Sequence, residues 1–235
     1  MGIKQKTALL IGSTAVLLVA ITIILAGIFI ISNSKKYDTD LALMRLAQAN
    51  EIIATESANL RRITIDYASW DETYEFARDQ NKNFIESNFS DETFAKNHFG
   101  FVMIFNNSGE NIFKKAFDLS ARKQIPFQEL FEENTIYESN LLISQENSVK
   151  CGFLKTNNKL FLLASAPILT SQYGGPSRGV MIIGYEFNND EIQKISNTIK
   201  IPLEIISNDI STTLPIISSK EHKKAPPLQL SLIHI

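Results

Sequence analysis

The chain has a single cysteine, Cys151, among 235 residues. That scarcity excludes an internal disulfide and any metal centre built from several thiolates. Histidine is almost as rare. His222 and His234 fall near the C-terminus, so His98 is the only imidazole in the body of the chain. One imidazole and one distant thiol do not make a zinc site. A Ser-His-Asp arrangement needs a base beside its nucleophile, and no Gly-x-Ser-x-Gly elbow occurs. QYGGPSRG (172–179) has glycines, but no Lys-Ser/Thr follows and an apolar run does, so it reads as a loop between strands. The expectation is a chain with no enzymatic signature, no metal and no cofactor. Charge is also short of an excess: 23 basic residues against 25 acidic ones exclude a nucleic-acid binder working by bulk charge. Disorder throughout is excluded by 15 phenylalanines, which disordered chains lack.

What the chain does have is a long uncharged opening. No charged residue lies between Lys6 and Lys35, and 19 of the 24 residues of Ala8–Ile31 are apolar. At 1.5 Å per residue such a helix is about 36 Å long, enough for a hydrocarbon core of about 30 Å. A signal peptide has a shorter apolar core and a small-x-small exit. Here the run leaves through Phe29-Ile30-Ile31-Ser32, so a retained anchor in the lipid bilayer is expected, with residues 1–7 as a short tail. Lys4 and Lys6 on one side face Lys35, Lys36 and Arg45 on the other, so charge alone leaves the orientation open.

From Tyr37 to about Phe76 the pattern is helical and uninterrupted by glycine or proline. Leu46, Ile53, Leu60 and Tyr67 recur every seven residues. Ala42, Ala49, Glu56, Ile63 and Trp70 accompany them. This spacing suits either a homodimer seam through helix 38–70 or packing on the chain's own domain. Beyond it, Ser90 followed by Asp-Glu reads as a helix N-cap. Gly100–Phe105, the turn Asn106–Gly109 and Asn111–Phe117 read as a hairpin. Pro126 opens a short helix, FQELFEE. Ser148–Lys155, the turn Thr156–Asn158 and Lys159–Ala166 form a second hairpin, and Gly179–Phe187 a fifth strand. A helix, Asp190–Ile199, and an apolar run, Leu203–Ile206, follow. Strands so dense in apolar residues are covered on both faces, and the long first helix is expected to cover the second. The fold class is α+β, PAS-like: a five-stranded antiparallel sheet with flanking helices. Residues 207–235 carry little pattern and read as a truncated or unstructured tail.

One cluster is dense in chemistry: Asp66-Tyr-Ala-Ser-Trp70-Asp-Glu-Thr-Tyr74-Glu-Phe76. On one helix Tyr67, Trp70 and Tyr74 share a face, with Asp71 beside them and Asn81 and Asn88 beyond. Such a stripe can wall a small-molecule pocket or pack a helix on a sheet. Tyr67, Trp70, Asp71, Tyr74, Asn81 and Asn88 are therefore the candidates for ligand binding or signal coupling.

WDETYEFARDQNKNFIESNF resembles the signature of the fourth type of CHASE domain, through Trp70, Asp71, Tyr74, Phe76, Asn81, Ile85 and Asn88, with Glu72 where a second Asp is usual. FVMIFNNSGENI, with Gly109 in its turn, is similar to the family's strand–turn–strand. ASAPILTSQYGGPSRGVMIIGYEF is similar to its late Pro-Ile, Gly-Pro and Gly pattern. The resemblance covers about residues 38–206. It implies a PAS/Cache-like sheet in an extracytoplasmic sensor domain that is anchored in the cytoplasmic membrane and binds an unidentified small ligand. It also implies a full-length receptor with a second membrane helix and a diguanylate cyclase, phosphodiesterase or histidine kinase output, none of which is in this sequence. The competing expectation is a self-contained membrane-tethered binding or scaffolding protein.

Overall fold

The computed structural model describes residues 2–130, 136, 148–155, 159–206 and 229–232. The chain divides into two compact units, Met1–Ala47 and Gln48–Ile235. Helix α1, Ile3–Ala68, begins in the first and ends in the second. Within the first unit Leu10–Ile31 is long and apolar enough to cross a membrane, and none of it is buried by protein. Side chains such as Val16, Leu17 and Phe29 stand exposed, as a lipid-facing helix requires.

In the second unit α1 buries Ala49, Ile53, Ser57, Leu60, Thr64 and Ala68. These positions recur at three and four residues, one stripe of a helix. Two of them are polar, yet neither hydroxyl is orphaned. Ser57 Oγ donates to the Ile53 carbonyl and Thr64 Oγ1 to that of Leu60, each at 2.8 Å. The stripe lies in the core cluster of its own domain. Of the heptad residues, Ile53 and Leu60 are buried there, Leu46 and Tyr67 are half-buried, and Glu56 is exposed.

After α1 come three short helices, α2 (Asp71–Asp79), α3 (Lys82–Asn88) and α4 (Asp91–Asn97). Ser90 caps α4, its Oγ accepting from Thr93 N–H. Strands β1 (Phe101–Asn106) and β2 (Asn111–Asp118) follow as a hairpin, with Gly109 at φ +78° in the turn. Then come β3 (Lys123–Ile125), a 3-10 turn at Phe127–Glu129, β4 (Lys150–Lys155), β5 (Leu160–Pro167), β6 (Gly179–Glu186), helix α5 (Asn189–Ile199) and β7 (Leu203–Ile206). The sheet is antiparallel throughout, in the order β3-β2-β1-β6-β5-β4.

It therefore has six strands rather than the expected five. The extra one, Lys-Gln-Ile, is too short and polar to register as a strand, and edge pairing to β2 makes it one. The turn expected at Thr156–Asn158 and the second half of FQELFEE lie outside the described residues. Gln229–Leu232 (β8) pairs antiparallel with β7, so this part of the tail is not without structure. The partner strand supplies the hydrogen bonds that its weak pattern could not advertise.

Both sheet faces are covered, but not in the expected way. One face, with Val102, Ile104, Leu162, Ala164, Met181 and Ile183, shares its core with α1 and with residues of α2, α3, α4 and α5. The other, with Phe101, Met103, Phe105, Phe161 and Ile182, meets Phe127, Leu130 and Ile136. The long helix thus sits with the other helices. The second face meets Phe127, Leu130 and Ile136, which follow β3, rather than the long helix. Lys115 of β2 binds the short helices to the sheet: Nζ reaches Asp91 at 2.7 Å and the Phe89 carbonyl at 2.9 Å, 4.9 Å from the Phe94 ring centre.

Candidate functional site

The aromatic stripe does not run along one helix. α1 stops at Ala68, and Trp70 is the extended N-cap residue of α2, at φ −81° and ψ 140°. No glycine or proline causes the break. The last carbonyls of α1 are captured instead. Thr73 Oγ1 donates to the Tyr67 carbonyl at 2.7 Å, and Leu169 N–H donates to that of Ala68 at 3.2 Å. These are the groups a helix end leaves without internal partners. Asp71 and Glu72 then occupy the first turn of α2, where the helix dipole favours acids.

The break sorts the candidates into separate places. Tyr67 and Trp70 stack on each other at 4.3 Å between ring centres, and Tyr67 packs edge-on to Phe99 at 5.5 Å. The Tyr67 hydroxyl accepts from Asn97 Nδ2 at 3.4 Å. Burial, with the Asp66 carboxylate nearby, pushes the Tyr67 phenol above its ordinary value. This half of the stripe packs the junction of α1, α2 and α4.

Asp71 and Tyr74 face another way, onto the connection between β5 and β6. The Asp71 carboxylate accepts from Ser171 N–H at 2.9 Å and from Ser171 Oγ at 2.8 Å. Those two bonds stabilise the carboxylate and hold its pKa below the usual carboxylate value. Tyr74 Oη donates to the Pro176 carbonyl at 3.1 Å. Arg178 lies 3.7 Å from the Tyr74 ring centre, donates to the Tyr74 carbonyl at 3.0 Å and pairs with Glu75 at 2.9 Å. Gly175, at φ +84°, brings the loop so near that a side chain there would stand 3.0 Å from the Tyr74 hydroxyl. The same loop reaches the β1–β2 turn, where Asn107 Nδ2 donates to the Ser177 carbonyl at 2.7 Å. Residues about a hundred positions apart thus form one polar clasp. Ser171 and Arg178 were not among the sequence candidates, because only tertiary structure brings them to the motif; Thr73 and Glu75 lie inside it, and the fold gives them their partners, the Tyr67 carbonyl and Arg178.

Asn81 and Asn88 join neither group. Asn81 is exposed and caps α3, accepting from Asn83 N–H at 3.0 Å. Asn88 Nδ2 donates to the Phe84 carbonyl at 2.9 Å near the end of the same helix.

The far end of the sheet holds an open cleft of about 710 Å³. Its walls include His98, Asp118, Arg122, Lys159, Glu186 and Glu191. His98 Nε2 lies 3.1 Å from Glu191, which also takes Lys194 at 2.7 Å. Burial pushes the Glu191 carboxyl up, but the bonds from His98 and Lys194 outweigh it and the net shift is downward. Lys159 pairs with Glu186 at 2.9 Å and donates to the Glu129 carbonyl at 3.1 Å. The cleft thus holds two groups of paired charges, His98 and Lys194 on Glu191 and Lys159 on Glu186. Cys151 is half-buried on β4 and its Sγ donates to the Ser57 carbonyl at 3.3 Å. Burial, slightly relieved by Arg61, pushes that thiol up to about 11, so little thiolate forms at neutral pH. Among the described residues, no three His, Cys, Asp or Glu side chains converge as a metal site would need.

Known proteins resemble this chain in sequence and in fold. The model of the CHASE4 domain matches residues 52–206. The methanogenesis regulatory histidine kinase FilI of Methanothrix harundinacea is 21% identical over 148 residues, 63% of this chain. The chain spans 17% of the length of that curated relative. Among solved structures, an extracellular domain assigned to the histidine kinase vpHK1S-Z8 superposes with a TM-score of 0.53 at 11% identity, covering 74% of this chain and 66% of that one. The periplasmic domain of Vibrio cholerae LuxQ gives 0.50 at 14% identity, covering 78% and 81%. At such identities these two likenesses concern the fold.

Proposed function

The chain belongs to the CHASE4 domain family, and from that premise we propose that it is the input module of a membrane receptor. Leu10–Ile31 anchors it in the cytoplasmic membrane, and the domain from Gln48 onward lies outside the cytoplasm. A small ligand shifts the balance between two arrangements of α1 on the sheet, to the extent that it binds one of them more tightly. The observation that carries this reading is the family match across the whole folded domain, following an exposed apolar span on the same helix. FilI, a histidine kinase by name, supports a receptor whose output lies in further sequence. A kinase or a cyclic-nucleotide enzyme would serve that output equally well.

Pairing of two copies through helix 38–70 belongs to the same proposal. From Ala49 onward the apolar stripe of α1 is buried in its own core. A second copy would therefore meet the exposed Leu41, Leu43 and Met44.

Residues 1–206 fused to the output half of a histidine kinase with a measurable reporter test the receptor reading. The fusion should respond to at least one fraction of a panel of amino acids, organic acids and short peptides. Trp70→Ala, which removes the stack on Tyr67, should insert normally and abolish that response. A folded, inserted Trp70→Ala fusion that responds like the parent would reject the coupling role. Silence of the parent across the panel at millimolar concentrations would count against the sensor reading.

A further inference from the structure

We infer that the β5–β6 connection, Leu169–Arg178, is the strap through which the sheet controls the C-terminal end of α1. This rests on the sensor reading for its purpose and on the geometry of the clasp for its existence. β5 and β6 are interior strands with a neighbour on each side, so movement of either sheet face reaches their connection. The connection is rooted in the sheet at both ends. Ile168 N–H donates to the Gly179 carbonyl and Arg178 N–H to that of Ile168. Gly179 at φ +146° lies against the Phe105 carbonyl, where a side chain would come within 1.9 Å. The root has no slack, so a shift of the strands is passed to the loop.

On its other side the strap holds the α1–α2 junction by polar bonds and by the Arg178 guanidinium over the Tyr74 ring. Leu169 N–H caps Ala68, the last residue of α1. Ser171 gives two bonds to Asp71, and Arg178 and Pro176 hold Tyr74 and Glu75. The Asp71–Ser171 and Arg178–Glu75 bonds lie at the surface, where polar bonds exchange readily with water. They can be made and broken as a set without opening the apolar core, which is the property a two-position element needs. Ser171 and Arg178 are then positioning residues for α1, acting through Asp71 and Tyr74.

Hydrogen exchange on the full chain in detergent micelles tests this without ligand or output domain. In Ser171→Ala and Arg178→Gln, amides of the strap and of the last turns of α1 (Ile63–Ser69) should accelerate together. The expected change is about tenfold, equivalent to about 1.4 kcal/mol of local stability. β1 and β6 amides should remain as protected as in the parent. Lys159→Gln, at the far end of the sheet, should leave Ile63–Ser69 unchanged. If the strap accelerates while Ile63–Ser69 does not, or if neither moves, the strap is not the link and the inference falls. Should Arg178→Gln fail to fold, Ser171→Ala, which removes one hydroxyl, decides alone. A negative result here leaves the sensor reading standing, and failure of the fusion receptor would leave this exchange result as it is.

Discussion

The two ends of the sheet are built from similar residue types and do opposite things with them. At the end where β5 leaves and β6 enters, charges and hydroxyls join segments about a hundred residues apart: Asp71 to Ser171, Arg178 to Glu75 and Tyr74. At the end where β6 leaves and β5 enters, the pairs His98–Glu191, Lys194–Glu191 and Lys159–Glu186 line an open cleft. The first end fastens the terminus of α1, and the second leaves a wall facing water. Both sets tie distant segments, but at the first end the bonds close on the terminus of α1, and at the second, where Lys159 also reaches the Glu129 carbonyl, they leave a cleft open to water.

Substitutions at the two ends sharpen this contrast. The largest effect should come from Gly179→Ala, which forces a methyl onto the Phe105 carbonyl in a backbone conformation that alanine avoids. A loss of about 3 kcal/mol or more is expected in denaturant titrations. A loss under about 1 kcal/mol would mean that the root of the strap yields easily. Next, Arg178→Gln removes an ion pair and a ring contact and should cost about 1–2 kcal/mol. Lys159→Gln at the cleft should cost no more than about 1 kcal/mol, and less in high salt. Equal losses at the two sites would erase the distinction.

The subtlest effect concerns acid. Ser171 lowers the pKa of Asp71 in the fold below its unfolded value. The contribution of this carboxylate is therefore fully present above the ordinary Asp value of about 3.9 and is lost as pH falls through the lower folded one. Asp71→Asn should flatten the acid limb of a stability–pH curve and leave its neutral limb parallel to the parent. An unchanged acid limb would mean that Asp71 is not held by Ser171 in solution.

What could be foreseen from the sequence follows the reach of each signal. Ser90 before Asp-Glu, Asn106–Gly109 between apolar runs and the closely spaced apolar strands act over a few residues, and the cap, the hairpin and the buried sheet formed as expected. Lys123–Ile125 is a strand because β2 lies beside it, which its own three residues do not reveal. The break at Ser69–Trp70 had no local breaker. It depends on Leu169 and Thr73 taking the last carbonyls of α1, and one of these partners is a hundred residues away. For the same reason Asp71 and Tyr74 could be marked as candidates, while Ser171 and Arg178, inside an unremarkable Gly-Pro loop, could not. Asn81 and Asn88 carried the same polar signal and serve the ends of α3.

The proposed receptor needs its folded domain on the outer side of a membrane spanned by Leu10–Ile31. Alkaline phosphatase, active only outside the cytoplasm, fused after Ile206 tests it directly. The account predicts an active enzyme at that junction, and a dark cell when a fluorescent protein that matures only in the cytoplasm is placed there instead. An inactive phosphatase with a bright fluorescent fusion would put the domain inside the cell and contradict the receptor.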